Sequence, residues 1–213
     1  MGKIIVTGAS GQFGHAAASQ LLDAGEAVIA LTRSPEKLAD LAARGAEVRA
    51  ADFDDPASLS AAMAGGEKML LISTTMVGER PRQHGNAIDA AVAAGVKHIV
   101  YTSVTDGGNP NHPAVEQHDH YATEQHLKAS GAAWTILRDS QYSEAIATAM
   151  AIPALAAGSK PDNCGDGQIA FVSRDDCVAT AVAVLTQPGH ENKAYDVTGP
   201  ELLSIHEAMA MIA

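Results

Sequence analysis

The stretch Lys3-Ile4-Ile5-Val6-Thr7-Gly8-Ala9-Ser10-Gly11-Gln12-Phe13-Gly14 sets three evenly spaced glycines behind an apolar β-branched run. An Ala-rich amphipathic segment, residues 12–24, follows at once. This order reads as strand, tight turn and helix. Gly8 permits the turn off the strand, Gly11 lets the backbone approach a pyrophosphate, and Gly14 allows close helix–strand packing. Free amides and the positive end of the helix dipole would then hold the phosphates. Ser10, Gln12 and Phe13 lie in the same loop and are assigned to the dinucleotide contact.

Outward from this loop the chain alternates short apolar runs with helical stretches. Strands are expected at residues 3–7, 27–31, 46–50, 68–72, 98–102 and 133–137, with helices at 12–24, 35–44, 56–63, 83–94 and 115–130. Gly25, Gly45, Gly95 and Gly131 follow helices where a left-handed cap favours glycine. Pro35 and Pro56 stand where a first helical turn tolerates proline. After Arg138 the rhythm changes to a helical stretch at 142–157, a loop at 158–167, a strand at 168–172, a helix from Arg174 to about Leu185, a strand at 194–198 and a last helix from Ser204. The expected class is α/β: a Rossmann-type doubly wound parallel sheet with helices on both faces and a small C-terminal substrate lobe. Residues 1–140 form the NAD(P)-binding domain in this reading. Residues 141–213 form the lobe, interleaved with the last sheet elements.

The end of the second strand discriminates between nicotinamide cofactors. An acid there would bind the ribose hydroxyl of NAD, but the sequence is Leu31-Thr32-Arg33-Ser34. Arg33 suits a 2′-phosphate, with Thr32 and Ser34 as hydroxyl donors, so NADP(H) is preferred and NAD(H) is second. Asp52 is placed at the adenine amino group and Phe53 beside the ring. Ser73, Thr74 and Thr102 end later strands and should line the cofactor cleft at the carboxyl edge of the sheet.

The bulk properties exclude several classes. A formal net charge of −11 without a basic patch argues against nucleic acid as a partner. No apolar run reaches membrane-spanning length, and the opening residues lack a signal-peptide pattern. Cys164 and Cys177 have no metal or redox spacing, and so small a cysteine count fits a reducing, cytoplasmic setting. His112, His118, His120 and His126 are dense, but His118 and His120 diverge by about 200° on a helix, so no metal site is expected. A small-molecule substrate is the expected partner. Monomer and homodimer are both open.

The glycine loop, Leu31–Lys37, Ala51-Asp52-Phe53, residues 94–103, Leu137-Arg138 and residues 173–179 together resemble the atypical short-chain dehydrogenase/reductases. Within them the chain resembles the NmrA-like group, and there the branch of bacterial type 2 NAD(P)H:quinone oxidoreductases and triphenylmethane reductases. The resemblance implies an NADPH-dependent oxidoreductase acting on a quinone or related conjugated carbonyl. Members of that branch continue past the point where this sequence stops, so part of the substrate lobe is expected to lie outside it. The wider superfamily uses a Tyr, a Lys four residues later and a Ser. The matching positions here are Tyr121, Gln125 and Ser103; the neutral amide of Gln125 cannot lower the Tyr pKa, but it can still hydrogen-bond the cofactor ribose, to which it is assigned. His120 matches a His common in the branch and is expected in the substrate pocket. Tyr142 is a further cleft-facing candidate. The rival reading is a non-catalytic NmrA-like NAD(P) sensor that binds a protein partner. A dehydratase or epimerase is a third.

Overall fold

The computed structural model describes residues 2–158 and 164–211. Strand β1 (Lys3–Val6) runs into helix α1 (Gln12–Asp23), which returns to β2 (Val28–Thr32). Every residue of β2 is apolar or small and buried, as a strand covered on both faces requires. A 3-10 turn (Pro35–Leu38) and a short α2 (Ala39–Ala43) lead to β3 (Glu47–Ala50). Helix α3 (Pro56–Ala62) begins on proline and is capped by Asp55, whose carboxylate accepts from the amides of Ala57 and Ser58. Then follow β4 (Gly66–Leu71), α4 (Arg80–Ala93), β5 (His98–Val104), α5 (Val115–Ala129) and β6 (Ala133–Asp139).

Beyond β6 come α6 (Ser143–Ala145), a π turn (Ile146–Ala151) and α7 (Ile152–Ala157). Strand β7 (Gln168–Ile169), α8 (Arg174–Thr186), β8 (Lys193–Val197), β9 (Leu203–Ser204) and α9 (Ile205–Ala210) complete the order.

Seven strands form one sheet in the order β3-β2-β1-β4-β5-β6-β8, every adjacent pair parallel. This is the doubly wound Rossmann-type sheet. Strand order reverses between β1 and β4, which opens a crevice at the carboxyl edge. The two faces carry separate cores. Ile4 and Val6 pack with Ala17, Leu21, Val178 and Ala181 from α1 and α8. Ile5 points the other way, to Leu59, Ile88 and Leu127 from α3, α4 and α5. Within residues 141–213, β8 extends the main sheet, while β7, β9 and α9 gather around Ile146, Phe171, Ile205 and Ala208.

Several elements differ from the sequence expectation. The helix at 35–44 splits, because Leu38 leaves helical geometry (φ −114°, ψ 24°). The helix expected from 83 begins at Arg80, since Pro81 occupies a first turn where its missing N–H costs nothing. The stretch 142–157 is not one helix. Pro153 supplies no amide hydrogen to the preceding turn, and that turn widens into the π form. The strand expected at 168–172 shortens to Gln168–Ile169, and Val172 makes only an isolated bridge to Tyr142. Of the loop expected at 158–167, residues 159–163 lie outside the described residues. No described helix is long and apolar enough to cross a membrane.

Candidate active site

A cleft of about 630 Å³ opens at the carboxyl edge of the sheet, over the β1/β4 reversal. Its floor is the loop between β1 and α1. Gly8 adopts φ +59°, the left-handed region that glycine favours. A Cβ on Gly14 would lie 2.4 Å from the Gly8 carbonyl oxygen, so only hydrogen fits between helix and loop there. No side chain caps α1 and no acid sits in its first turn. Its leading amides are therefore directed at the cleft without a protein partner, the arrangement an anion requires.

One end of the cleft is cationic. Arg33 and Lys37 line it beside Thr32 and Ser34, and no carboxylate ends β2. The Thr32 hydroxyl donates to Ser10 Oγ at 2.9 Å and accepts from the Ser34 amide at 3.0 Å, tying the loop after β1 to the loop after β2. Asp52 and Phe53 form the adjoining wall. Asp54 stands beside them, and hydrogen bonds from Arg82 and Gln83 hold its carboxyl below the usual range.

The other end is built by Ser73, Thr74, Thr102, Tyr142 and Arg174. The Ser73 amide donates to Thr102 Oγ1 at 3.0 Å, so adjacent strand ends are locked in register. The Thr74 amide donates to His84 Nε2 at 3.0 Å, which leaves the proton on Nδ1, 3.0 Å from Thr123 Oγ1. Burial, then the nearby His120 and Arg80, push the His84 pKa down to about 3, so this acceptor stays neutral. Arg80 Nε donates to the Thr74 carbonyl at 2.6 Å and the Gly78 amide donates to Asp119 at 2.6 Å. The loop between β4 and α4 is thus anchored from both helices behind it.

Of the residues expected to hold a dinucleotide, Gly8, Ser10, Gly11, Gln12, Phe13, Gly14, Arg33, Asp52, Phe53, Ser73, Thr74 and Thr102 all line this cleft. Tyr121, Ser103, His120 and Gln125 do not. The reason is the rotation of α5, which buries Asp119, His120, Thr123, Glu124 and Leu127. Gln125 is consequently exposed and Tyr121 half-buried on its flank. The Ser103 hydroxyl donates to Glu124 Oε1 at 2.9 Å, and Arg138 adds bonds to both Glu124 oxygens at 3.0 and 2.8 Å. His120 Nδ1 shares a hydrogen bond of 2.7 Å with the Tyr101 hydroxyl inside the protein, and burial pushes its pKa down to about 4. Sequence reasoning missed Lys37, Arg80, Gln83 and Arg174 at the cleft. Lys37 lies four residues past Arg33, in the 3-10 turn that follows it, and was open to detection. Arg174 arrives from α8, and no local signal marks it.

The family model for NAD(P)H-binding proteins matches residues 8–188. The chain belongs to the NAD(P)H-binding family. Quinone oxidoreductase 2 of Escherichia coli (strain K12) is 41% identical to it over 209 residues, covering 97% of this chain and 72% of that protein. The crystal structure of the NADPH-dependent quinone oxidoreductase from Escherichia coli, complexed with NADPH, superposes with a TM-score of 0.86 over 95% of this chain and 71% of that one, at 41% identity. The Citrobacter sp. triphenylmethane reductase complexed with NADP(H) gives a TM-score of 0.87 at 32% identity, over 100% of this chain and 75% of that one. The glycine cradle, the uncapped helix and the two cations are what a family dinucleotide requires, so the residues present fit the cofactor.

Proposed function

We propose that this protein is an NADPH-preferring oxidoreductase that reduces a quinone or another small conjugated carbonyl compound. The observation that carries the reading is the cleft itself. It pairs an anion-ready helix terminus and a cationic end with a hydroxyl-lined opposite end, all on one sheet edge. In this reading Gly8, Ser10, Gly11, Gln12, Phe13 and Gly14 hold the pyrophosphate. Arg33 and Lys37 take the 2′-phosphate, and Asp52 and Phe53 flank the adenine. Ser73, Thr74 and Thr102 orient the nicotinamide end. When bound, the reduced cofactor supplies a hydride to the acceptor. A conjugated acceptor delocalises the resulting charge, which reduces the demand for a strong acid. Tyr142 and Arg174 line that end and mark the substrate side of the site in this reading. The cysteine usage supports a cytoplasmic setting.

The test is to follow loss of nicotinamide absorbance with NADPH across a panel of quinones. Turnover is expected. Tight NADPH binding without turnover on any member would favour the sensor reading.

The cofactor preference has its own test. Arg33→Ala should weaken NADPH binding about 10- to 100-fold, the loss of one charge-assisted contact of about 1.5–3 kcal/mol. NADH, lacking the 2′-phosphate, should change little in a fluorescence titration. Equal losses for both would remove Arg33 from the 2′-phosphate.

A further inference from the structure

With Tyr121 and Ser103 outside the cleft, an acceptor reduced there needs another proton source. Tyr142 lines the cleft between β6 and α6. Its ring stacks on Phe13 of the glycine loop, centroids 6.5 Å apart, and lies 5.4 Å under the Arg174 guanidinium. Its hydroxyl donates to Asp139 Oδ2 at 3.2 Å. Asp139, the last residue of β6, is only 5% exposed, and its second oxygen, Oδ1, has no hydrogen-bond partner. A carboxylate in that position is poorly satisfied, whereas a neutral carboxylic acid is tolerated.

The surroundings keep it so. On the adjoining strands its register partners are Val104 of β5 and Val197 of β8. From α8 it meets the buried thiol of Cys177, whose own pKa is pushed up by burial and then by Asp139. The other charges near the pair are the Arg174 guanidinium over the Tyr142 ring and two carboxylates. Glu144 of α6 accepts from the Arg174 amide at 3.0 Å, and Asp176 accepts from the Ser173 hydroxyl at 2.7 Å. No cation pairs with Asp139 among the described residues. Burial accordingly raises its pKa to about 7, against the lowering influence of the Tyr142 hydroxyl and then of the nearby Cys177 thiol.

We propose that Tyr142 and Asp139 are the proton source of this site: Tyr142 gives its hydroxyl proton to the reduced acceptor, and Asp139 behind it replaces that proton. This rests on the reductase reading. The step balances. The acceptor takes two electrons with the hydride from NADPH, which is oxidised to NADP+. The Tyr142 O–H bond breaks as an O–H bond forms on the acceptor. The Asp139 proton moves to the Tyr142 oxygen, and solvent reprotonates Asp139. Protonated Asp139 also reverses the hydrogen bond it shares with Tyr142, which frees the phenolic hydrogen for the acceptor. Tyr142 is the donor, and Asp139 acts through it.

The test compares a quinone with a cationic triphenylmethane dye. Hydride addition to the cation gives a neutral product and consumes no proton, whereas the quinone takes up one. Tyr142→Phe, which keeps the ring against Phe13 and Arg174, should lower the quinone-to-dye ratio of kcat about 100-fold, the scale of a lost general acid. Wild-type quinone turnover should fall as pH rises through about 7, where Asp139 loses its proton, and Asp139→Asn should abolish that limb. Independently, infrared titration of the cofactor-free protein should show a protonated carboxyl that disappears near pH 7 in wild type and is missing in Asp139→Asn. An unchanged quinone-to-dye ratio in an active Tyr142→Phe variant, or a carboxyl already ionised at pH 5, would overturn the relay alone. A wild-type protein inert to both acceptors would overturn the reductase reading and the relay with it.

Discussion

Gly14→Ala is expected to weaken NADPH binding about 10- to 10,000-fold, because it disturbs one or two charge-assisted contacts of about 1.5–3 kcal/mol each. The new methyl carbon would stand 2.4 Å from the Gly8 carbonyl oxygen and 2.8 Å from its carbon. Both are backbone atoms and cannot swing aside as a side-chain tip would. Either α1 tilts or the loop lifts, and in both cases the leading amides of the helix lose their common aim. The core under α3, α4 and α5 does not depend on that spacing and only the seat of α1 in the other core shifts, so the fold should survive. The check is a dissociation constant for NADPH beside a far-ultraviolet circular dichroism spectrum. Wild-type affinity in a folded variant would remove the loop from the binding site.

The largest stability effect is expected at Glu124, which is fully buried. It holds Arg138 through two hydrogen bonds, accepts from Ser103 and pairs with Lys128 at 3.3 Å. Breaking a buried pair from one side costs about 3–5 kcal/mol. Arg138 keeps 23% of its side chain exposed, so water compensates part of that loss. Glu124→Gln should therefore cost about 2–3 kcal/mol, a fall of about 4–12 °C in Tm for a chain of this size. The sign with pH follows from the carboxyl. Burial alone would raise its pKa, but the bonds from Arg138 and Ser103 outweigh that and hold it below the usual carboxylate range. Its stabilisation is complete above the unfolded value of about 4.3 and is lost as pH falls through the lower folded value. Glu124→Gln should lack this acid-side loss. Thermal melts between pH 2 and 7 check both points, and parallel curves for the two proteins would contradict the assignment.

The nucleotide half of the site was legible because its signals are local. A glycine cradle needs only a dozen consecutive residues, and the strand-end positions Asp52, Ser73, Thr74 and Thr102 follow from the alternation of apolar runs with helices. The catalytic half was not. It turns on which face of α5 is buried, and that face carries Asp119, His120, Thr123 and Glu124, with Leu127 the lone large apolar residue. Apolar periodicity therefore gives no sign of its rotation. The partners that make these polar groups tolerable, Tyr101 and Arg138, come from β5 and β6. Tyr142 was within reach of a sequence reading, since it follows a strand at the cleft edge. Asp139 was not, because its burial depends on α8 and on β8, which enters the sheet far along the chain. The break of the 142–157 segment follows from Pro153, a local signal that a run of apolar helix formers obscured.

The central claim is that the amides after β1 receive the two phosphates of a nicotinamide dinucleotide. Titration calorimetry on the folded wild-type chain tests it most directly. One NADPH should bind per chain, more tightly than NADH. Absence of binding by both dinucleotides would contradict the assignment of the cleft and everything built on it.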